Sequence, residues 1–299
     1  MKVKFENVDF SSRSGPNGFG LKLARQMIKD GHEVVDHNQD ACLSFIQSSG
    51  IFKPNVLRLD GIYFNTSQDW QEMNKPLKKS YDLATAVVVQ SNFDKKMIDI
   101  FFGKRDNVTV ISNGTDVDVI NSIPVGINHD ILPRNKVWMC ASAWRPHKRL
   151  EQNITLFQEK ADRDCVLFVA GSGNIDDIKK FKDDRIKFVG DLSWPQMISL
   201  MKSAGNFVHL AWLDHCPNVV VDAKAAGCKL HVASSGGTHE ITDKNDVVYK
   251  DAIFEFNPLS LYEPPKMDFE EDTSKRPDRV DVSIVPVAEK YYSILRSVV

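Results

Sequence analysis

The chain has few of the features that mark secreted, membrane-borne or metal-stapled proteins. Among its 299 residues only five are cysteines, Cys42, Cys140, Cys165, Cys216 and Cys228. They are odd in number, form no CxxC pair and sit within or beside apolar runs, so they read as buried thiols of a reducing compartment rather than a disulfide frame or redox site. No window approaches about eighteen uninterrupted apolar residues, and the opening MKVKFENVDFSS lacks an apolar leader, so the expected location is cytoplasmic without a transmembrane segment. An excess of either charge is also missing. With 38 Lys and Arg against 40 Asp and Glu, a net charge of -2 gives no general drive toward nucleic acid or an anionic membrane. No internal repeat is visible.

What the chain does have is a globular composition, 42% apolar and 26% charged, and a length that at roughly 150 residues per domain predicts two domains. Strand-like apolar runs at Lys2 to Val8, His32 to Asp36, Ala41 to Ile46, Val56 to Asp60, Ala84 to Gln90 and Val108 to Ile111 alternate with helix-length segments such as Gly18 to Asp30 and Ser91 to Phe102. The pattern restarts with runs at Val137 to Ala141, Val166 to Ala170, Ile186 to Val189, Phe207 to Leu210 and Lys229 to Ala233. Helix candidates lie between them at Arg149 to Ala161, Trp194 to Lys202 and Asn218 to Ala226. Ser91 with Asp94, and Ser193 with Gln196, fit capping boxes. The alternation implies α/β domains with parallel sheets. The aperiodic stretch Ser122 to Asn135, with Pro124, Gly126 and Pro133, reads as the linker, giving an N-terminal domain over 1–125 and a C-terminal domain over 126–284. After an irregular Pro-, Asp-, Glu- and Lys-rich stretch, a last amphipathic helix over about 285–299 either caps the second domain or completes the first.

Ligands of open parallel sheets bind beyond the carboxyl ends of the strands, so the loops there carry the chemistry. The first, Ser14-Gly15-Pro16-Asn17-Gly18-Phe19-Gly20, places three glycines at a helix start, where turns and free N–H groups suit an anion or sugar hydroxyl. Its order is GxxGxG rather than the dinucleotide GxGxxG, and Asp36 is no convincing ribose acid, which weighs against nicotinamide. In Trp144-Arg145-Pro146-His147-Lys148-Arg149, three fixed cations crowd at a strand end and suit a diphosphate; a solvated charge cluster is the plainer alternative. In Asp214-His215-Cys216-Pro217-Asn218-Val219-Val220-Val221-Asp222, a helix starts with free N–H groups at Asn218 and Val219 for a phosphate, and two acids suit the hydroxyls of a sugar nucleotide. Gly236-Gly237-Thr238-His239-Glu240 offers close backbone approach at Gly237 and an acid, Glu240, toward the same cleft, or simply a helix start. Asp116-Val117-Asp118 has the look of a metal acid pair but lies in a turn without a third ligand, so no metal is expected.

In this order the motifs resemble glycosyltransferase family 4, whose members are retaining enzymes using nucleoside-diphosphate sugars. The resemblance runs from Gly15 to about Val248 and includes Arg58-Leu59-Asp60-Gly61, Val88-Val89-Gln90-Ser91-Asn92-Phe93, Ile111-Ser112-Asn113-Gly114-Thr115-Asp116, Phe168-Val169-Ala170-Gly171-Ser172-Gly173 and Phe188-Val189-Gly190. It implies a GT-B-type fold, two Rossmann-like domains facing each other across a cleft. It further implies that Arg145 and Lys148 hold the donor diphosphate, that Gly15 and Gly18 let the first domain approach it, and that Glu240 positions the donor. The family's glutamate pair, with seven residues between, becomes Asp214 nearer the transferred sugar and Asp222 toward ribose, each a methylene shorter. The histidine often found near the reacting sugar has no confident counterpart, and Asp60 takes its place. The first domain is short for the family. The resemblance implies no metal and no organic cofactor beyond the nucleotide-sugar co-substrate, and an acceptor hydroxyl of a glycan or glycoconjugate. An NAD-dependent oxidoreductase or epimerase, an inverting transferase of the same architecture and a non-catalytic sugar-nucleotide or glycan-binding protein are the competing readings.

Overall fold

The computed structural model describes residues 1–12, 14–173 and 181–299. Its chain order is β1 (Lys2–Glu6), α1 (Gly15–Lys29), β2 (Glu33–Val34), β3 (Ala41–Phe45), β4 (Asn55–Leu59), α2 (Trp70–Leu83), β5 (Ala86–Val89), α3 (Asn92–Phe101), β6 (Val108–Val110) and α4 (Val117–Ser122). There follow β7 (Val137–Ala141), α5 (Leu150–Lys160), β8 (Val166–Ala170), β9 (Ile186–Gly190), α6 (Trp194–Ser203), β10 (Asn206–His209), α7 (Asn218–Ala225), β11 (Lys229–Ala233), β12 (Val247–Tyr249) and α8 (Ile284–Ser297). The strands form two six-stranded sheets, ordered β2-β1-β3-β4-β5-β6 and β12-β11-β10-β7-β8-β9, and their ladders are parallel.

Both sheets are covered on two faces, which is why strands such as β3, β4, β5 and β7 read as continuous apolar runs rather than alternating ones. In the second sheet the strand order reverses between β7 and β10. The loops after these two strands carry Arg145 and Lys148 on one side and Asp214 and Asn218 on the other, so the switch point assembles the second half's charged residues. In the first sheet the order turns at β1 and β3, and the loop after β1 leads into α1.

The glycine loop differs from its expected form. Helix α1 begins at Gly15 with Pro16 at its start, Gly18 donates its N–H to Ser14, and none of Gly15, Gly18 and Gly20 has a positive φ. The tight position is Gly20, where a Cβ would come within 2.9 Å of Val8, so that glycine serves helix-on-strand packing. Two helices have no counterpart among the sequence segments. Helix α2 holds Pro76 in its interior and nonetheless packs Leu77 and Tyr81 into the core, while short α4 is capped by Asp116, whose carboxylate accepts from the Val119 N–H.

The last helix crosses back to the first sheet. Ile284, Val287, Ala288, Tyr291, Tyr292 and Leu295 of α8 share one apolar cluster with Val3, Phe19, Leu23, Met27 and Phe45. The chain reaches that position in steps: Phe254, Phe256, Leu259 and Leu261 pack on the first half, Glu270 and Glu271 return beside Lys250 and Tyr249, and Thr115 then bonds Val282 and Ile284. Gly114 makes the crossing possible, because a Cβ there would lie 2.9 Å from the Ser283 carbonyl. Tyr291→Ala or Leu295→Ala, each removing a wholly buried side chain of α8, should cost about 2–5 kcal/mol in urea denaturation and release the first sheet's core rather than the second's.

Candidate active site

The N-termini of three helices, α1, α3 and α7, meet where the two halves touch. At α7, Asn218 donates through Nδ2 to the Gly15 carbonyl at 2.7 Å and accepts through Oδ1 from Asn113 at 2.9 Å. The helix start carries no side-chain cap. Asn113, just after β6, also donates to the Cys216 carbonyl at 2.8 Å and accepts from Arg58 at 2.7 Å. Arg58 is fully buried under the ring of Phe19, 4.4 Å from its centroid, and pairs with Asp60. The Asp60 carboxylate is therefore tied to a fixed guanidinium and stays largely covered.

Beyond β7, the Arg145 side chain is exposed and lines a cavity of about 700 Å³ with Trp144, Arg149, Pro264 and Met267. Arg149 is not available to a ligand: its φ of 52° turns it inward to a wholly buried ion pair with Asp251 at 2.7 Å. Lys148 reaches Asp214 at 2.5 Å, and His209 meets the same carboxylate oxygen at 2.9 Å. Burial works against ionisation of Asp214, yet the Lys148 charge and the His209 hydrogen bond outweigh it and hold this carboxyl well below the usual carboxylate range. Burial also keeps His209 neutral, with its pKa below the ordinary imidazole value, and pushes His147 down to about 4.

Two residues expected to contact the donor, Asp222 and Glu240, have partners on the other half. Both oxygens of Asp222 are engaged within the protein: Oδ1 accepts from Lys22 Nζ at 2.7 Å and Thr115 Oγ1 at 2.5 Å, and Oδ2 accepts from Trp194 Nε1 at 2.8 Å. Its position one turn into α7 points it at the first half's α1, which a sequence without pairing information does not reveal. Glu240 likewise closes on the other half. Oε2 accepts from Asn92 N and Nδ2 at 2.8 and 2.9 Å, and Oε1 from Phe93 N at 2.9 Å, so the carboxylate caps α3. Gly237, expected to let backbone approach a ligand, is packed against protein: a Cβ there would lie 2.1 Å from the His215 carbonyl of its own half and 2.4 Å from Ser91 Oγ of the first. Val219 lies in the first turn of α7 beside Asn218, and Gly18 faces open space.

Three residues central to the seam escaped the sequence reading: Lys22, Asp94 in its interdomain role, and His215. His215 Nδ1 is hydrogen-bonded to Asp94, and its ring lies against Gly61. The Asp-His dipeptide was visible, but its partner stands 121 positions away. The acid pair at the turn near the linker is divided, with Asp116 capping α4 and exposed Asp118 pairing at 3.3 Å with Lys29 of α1. Among the described residues one cluster has metal-ligand spacing, Asp162, Asp164 and Cys165, and Lys136 pairs with both of its acids at 2.9 Å.

This arrangement of two six-stranded parallel sheets meeting at a polar seam is the GT-B architecture found in glycosyltransferases. Residues 128–256 match the family described as glycosyl transferases group 1, a span that contains the whole second sheet. Among solved structures, Alr3699/HepE of Anabaena in complex with UDP and glucose is similar at a TM-score of 0.66 and 16% identity, covering 99% of this chain and 100% of that one. AviGT4, a glycosyltransferase involved in avilamycin A biosynthesis, reaches 0.63 at 14% identity, covering 99% and 97%. WaaG, involved in lipopolysaccharide biosynthesis, reaches 0.61 at 11%, covering 99% and 94%. No curated relative matches by sequence. Among the described residues no helix is long and apolar enough to cross a membrane.

Asp222→Ala leaves Lys22, Thr115 and Trp194 without their acceptor and should cost about 3–5 kcal/mol in chemical denaturation, whereas the double change with Lys22→Met should cost clearly less. A ribose-only role predicts no such stability loss. For Asp214, the depressed carboxyl contributes stability that is fully present above the unfolded value near about 4 and is lost as pH falls through the lower folded value. Asp214→Asn should therefore flatten the acid side of the stability curve below about pH 4, read from urea midpoints between acid and neutral pH.

Proposed function

We propose that the chain transfers a sugar, with retention of anomeric configuration, from a nucleoside-diphosphate sugar to a hydroxyl of a glycan or glycoconjugate. The observation that carries this reading is the switch point of the second sheet, where exposed Arg145, Lys148 and the uncapped start of α7 at Asn218 and Val219 stand on neighbouring loops. As the bond from sugar to phosphate breaks, negative charge grows on the diphosphate. Cations and helix N–H groups fixed in advance stabilise that charge without reorganising. Arg145 offers a planar fork and Lys148 a point charge, and diphosphate entry exchanges the Lys148 contact with Asp214 for one with phosphate. Asp214, freed from Lys148 but still held by His209, then takes sugar hydroxyls.

The donor nucleotide is taken to be UDP first, because relatives of this fold were solved with UDP and with UDP-glucose. In a retaining transfer the acceptor enters on the leaving-group face and the departing phosphate oxygen takes its proton, so no fixed base is required. Asp60, neutralised by Arg58, is accordingly read as shaping the acceptor side rather than abstracting a proton. Gly15, whose carbonyl holds Asn218, lets α1 come close to the phosphate site. Metal independence is supported by the separate use of Asp116 and Asp118 and by the neutralisation of the Asp162 and Asp164 pair. The second domain is read as the donor side and the first, completed by α8, as the acceptor side.

Lys148→Ala should lower sugar transfer by more than about tenfold and weaken nucleoside-diphosphate binding in calorimetry, and should also lower the melting temperature because Asp214 loses its ammonium partner. Wild-type turnover and affinity in that variant would remove the assignment. Dialysis against EDTA should leave the rate nearly intact; a large loss restored by manganese or magnesium would overturn the metal-free reading.

A further inference from the structure

His215 follows Asp214 in the loop between β10 and α7, but its ring is held by the other half of the molecule. Nδ1 bonds the carboxylate of Asp94, which is fully buried in α3 and accepts a second hydrogen bond from the Gln90 N–H at 3.3 Å. One side of the ring lies against Gly61, where a Cβ would come within 2.5 to 2.9 Å of three ring atoms, and the Phe93 ring stands 5.6 Å from its centre. The backbone is fixed from its own side, since the His215 N–H donates to Asp214 Oδ1 at 3.1 Å. Asp94, Gly61 and Phe93 thus set the orientation of a residue that the second domain contributes. Nε2 has no hydrogen-bond partner among the described residues, and the side chain keeps 21% of its surface open.

We propose that His215, oriented by Asp94 across the domain boundary, is a further substrate-contacting residue of the transfer reaction, donating a hydrogen bond from Nε2 to an oxygen of the donor's sugar-phosphate group. This rests on the donor-site reading of the same cleft. The charged groups facing the imidazole are Asp94 from α3, Asp214 from its own loop and Lys148 from the loop after β7. Burial disfavours the imidazolium and Lys148 opposes it, but the Asp94 carboxylate, by charge and hydrogen bond, together with Asp214, outweighs both, so the pKa is raised above the ordinary imidazole value. The imidazole therefore keeps its second proton to higher pH than a free histidine, and in that form both ring nitrogens carry protons. One is consumed by Asp94, and the other is a charged donor in a covered site, where it stabilises a phosphate oxygen that gains charge. Because Asp94 belongs to the first domain, the donor is correctly aimed only while the two domains are in contact.

The test is calorimetric binding of UDP-glucose, and of a panel of other sugar nucleotides, between pH 6 and 9, since the diester-like diphosphate of these probes does not titrate in that range. Wild-type affinity should weaken by about fivefold or more as pH rises through the His215 ionisation. His215→Gln should bind with a flat profile at the weaker level and lose about tenfold or more in kcat. Asp94→Asn, which keeps an acceptor for Nδ1 but removes the charge, should move the weakening to lower pH. A His215→Gln protein with wild-type affinity and pH dependence overturns this proposal alone, as does a wild-type profile without an alkaline decline. Failure of wild-type protein to bind any sugar nucleotide overturns the donor reading and this proposal with it.

Discussion

A carboxylate buried between two domains must be satisfied by both of them, and Asp222 meets that requirement with one ammonium, one hydroxyl and one indole N–H. Lys22 and Thr115 come from the first half and Trp194 from the second. Removing any one leaves a desolvated charge with too few donors, so the relative placement of α1, α6 and α7 is tied to this node. The remaining seam contacts share its character. Asn113 is bonded to Asn218 and Cys216, Glu240 to the start of α3, and His215 to Asp94, so directional polar bonds join the halves alongside the apolar packing of Trp212, Leu213, Phe254 and Phe256 on the first half. Such bonds are directional, and each can be exchanged for a bond to water or ligand.

That exchange gives the cleft residues two partners each. Lys148 is held by Asp214, and Asn218 by Gly15 and Asn113. Lys148 and Asp214 neutralise each other, while the amides satisfy one another's hydrogen bonds. In the proposed donor complex, phosphate takes the place of the Asp214 carboxylate at Lys148.

The fold was legible because two-sided burial leaves an unambiguous mark. The limits of β7, β8 and β11 agree with their apolar runs, and Ser91 caps α3 through the Asp94 N–H at 3.1 Å as the sequence spacing implies. Helix α2 was hidden by Pro76, which breaks the expected pattern although its ring is accommodated within the helix. The cationic loop and the α7 start were also legible, since local crowding of charge and an uncapped helix are properties of a few adjacent residues. Partners were not. Asp222 and Lys22 are 200 positions apart, and Glu240 and Asn92 are 148 apart; an acid able to bind a sugar hydroxyl is equally able to accept from a lysine or a backbone N–H. Composition of a motif states what a side chain can do, and only the long-range packing states which donor arrives first.

The return of α8 to the first sheet also orders events at the ribosome. Strands β1 and β3 and helix α1 emerge early, yet the face formed by Phe19, Leu23, Met27 and Phe45 waits for Tyr291, Tyr292 and Leu295, which are translated after the entire second sheet. The half that is synthesised second can close its core while the half that is synthesised first remains open. Until the last helix is released, the nascent chain carries an uncovered apolar surface, and this is the interval in which it depends on chaperones or risks association with its neighbours.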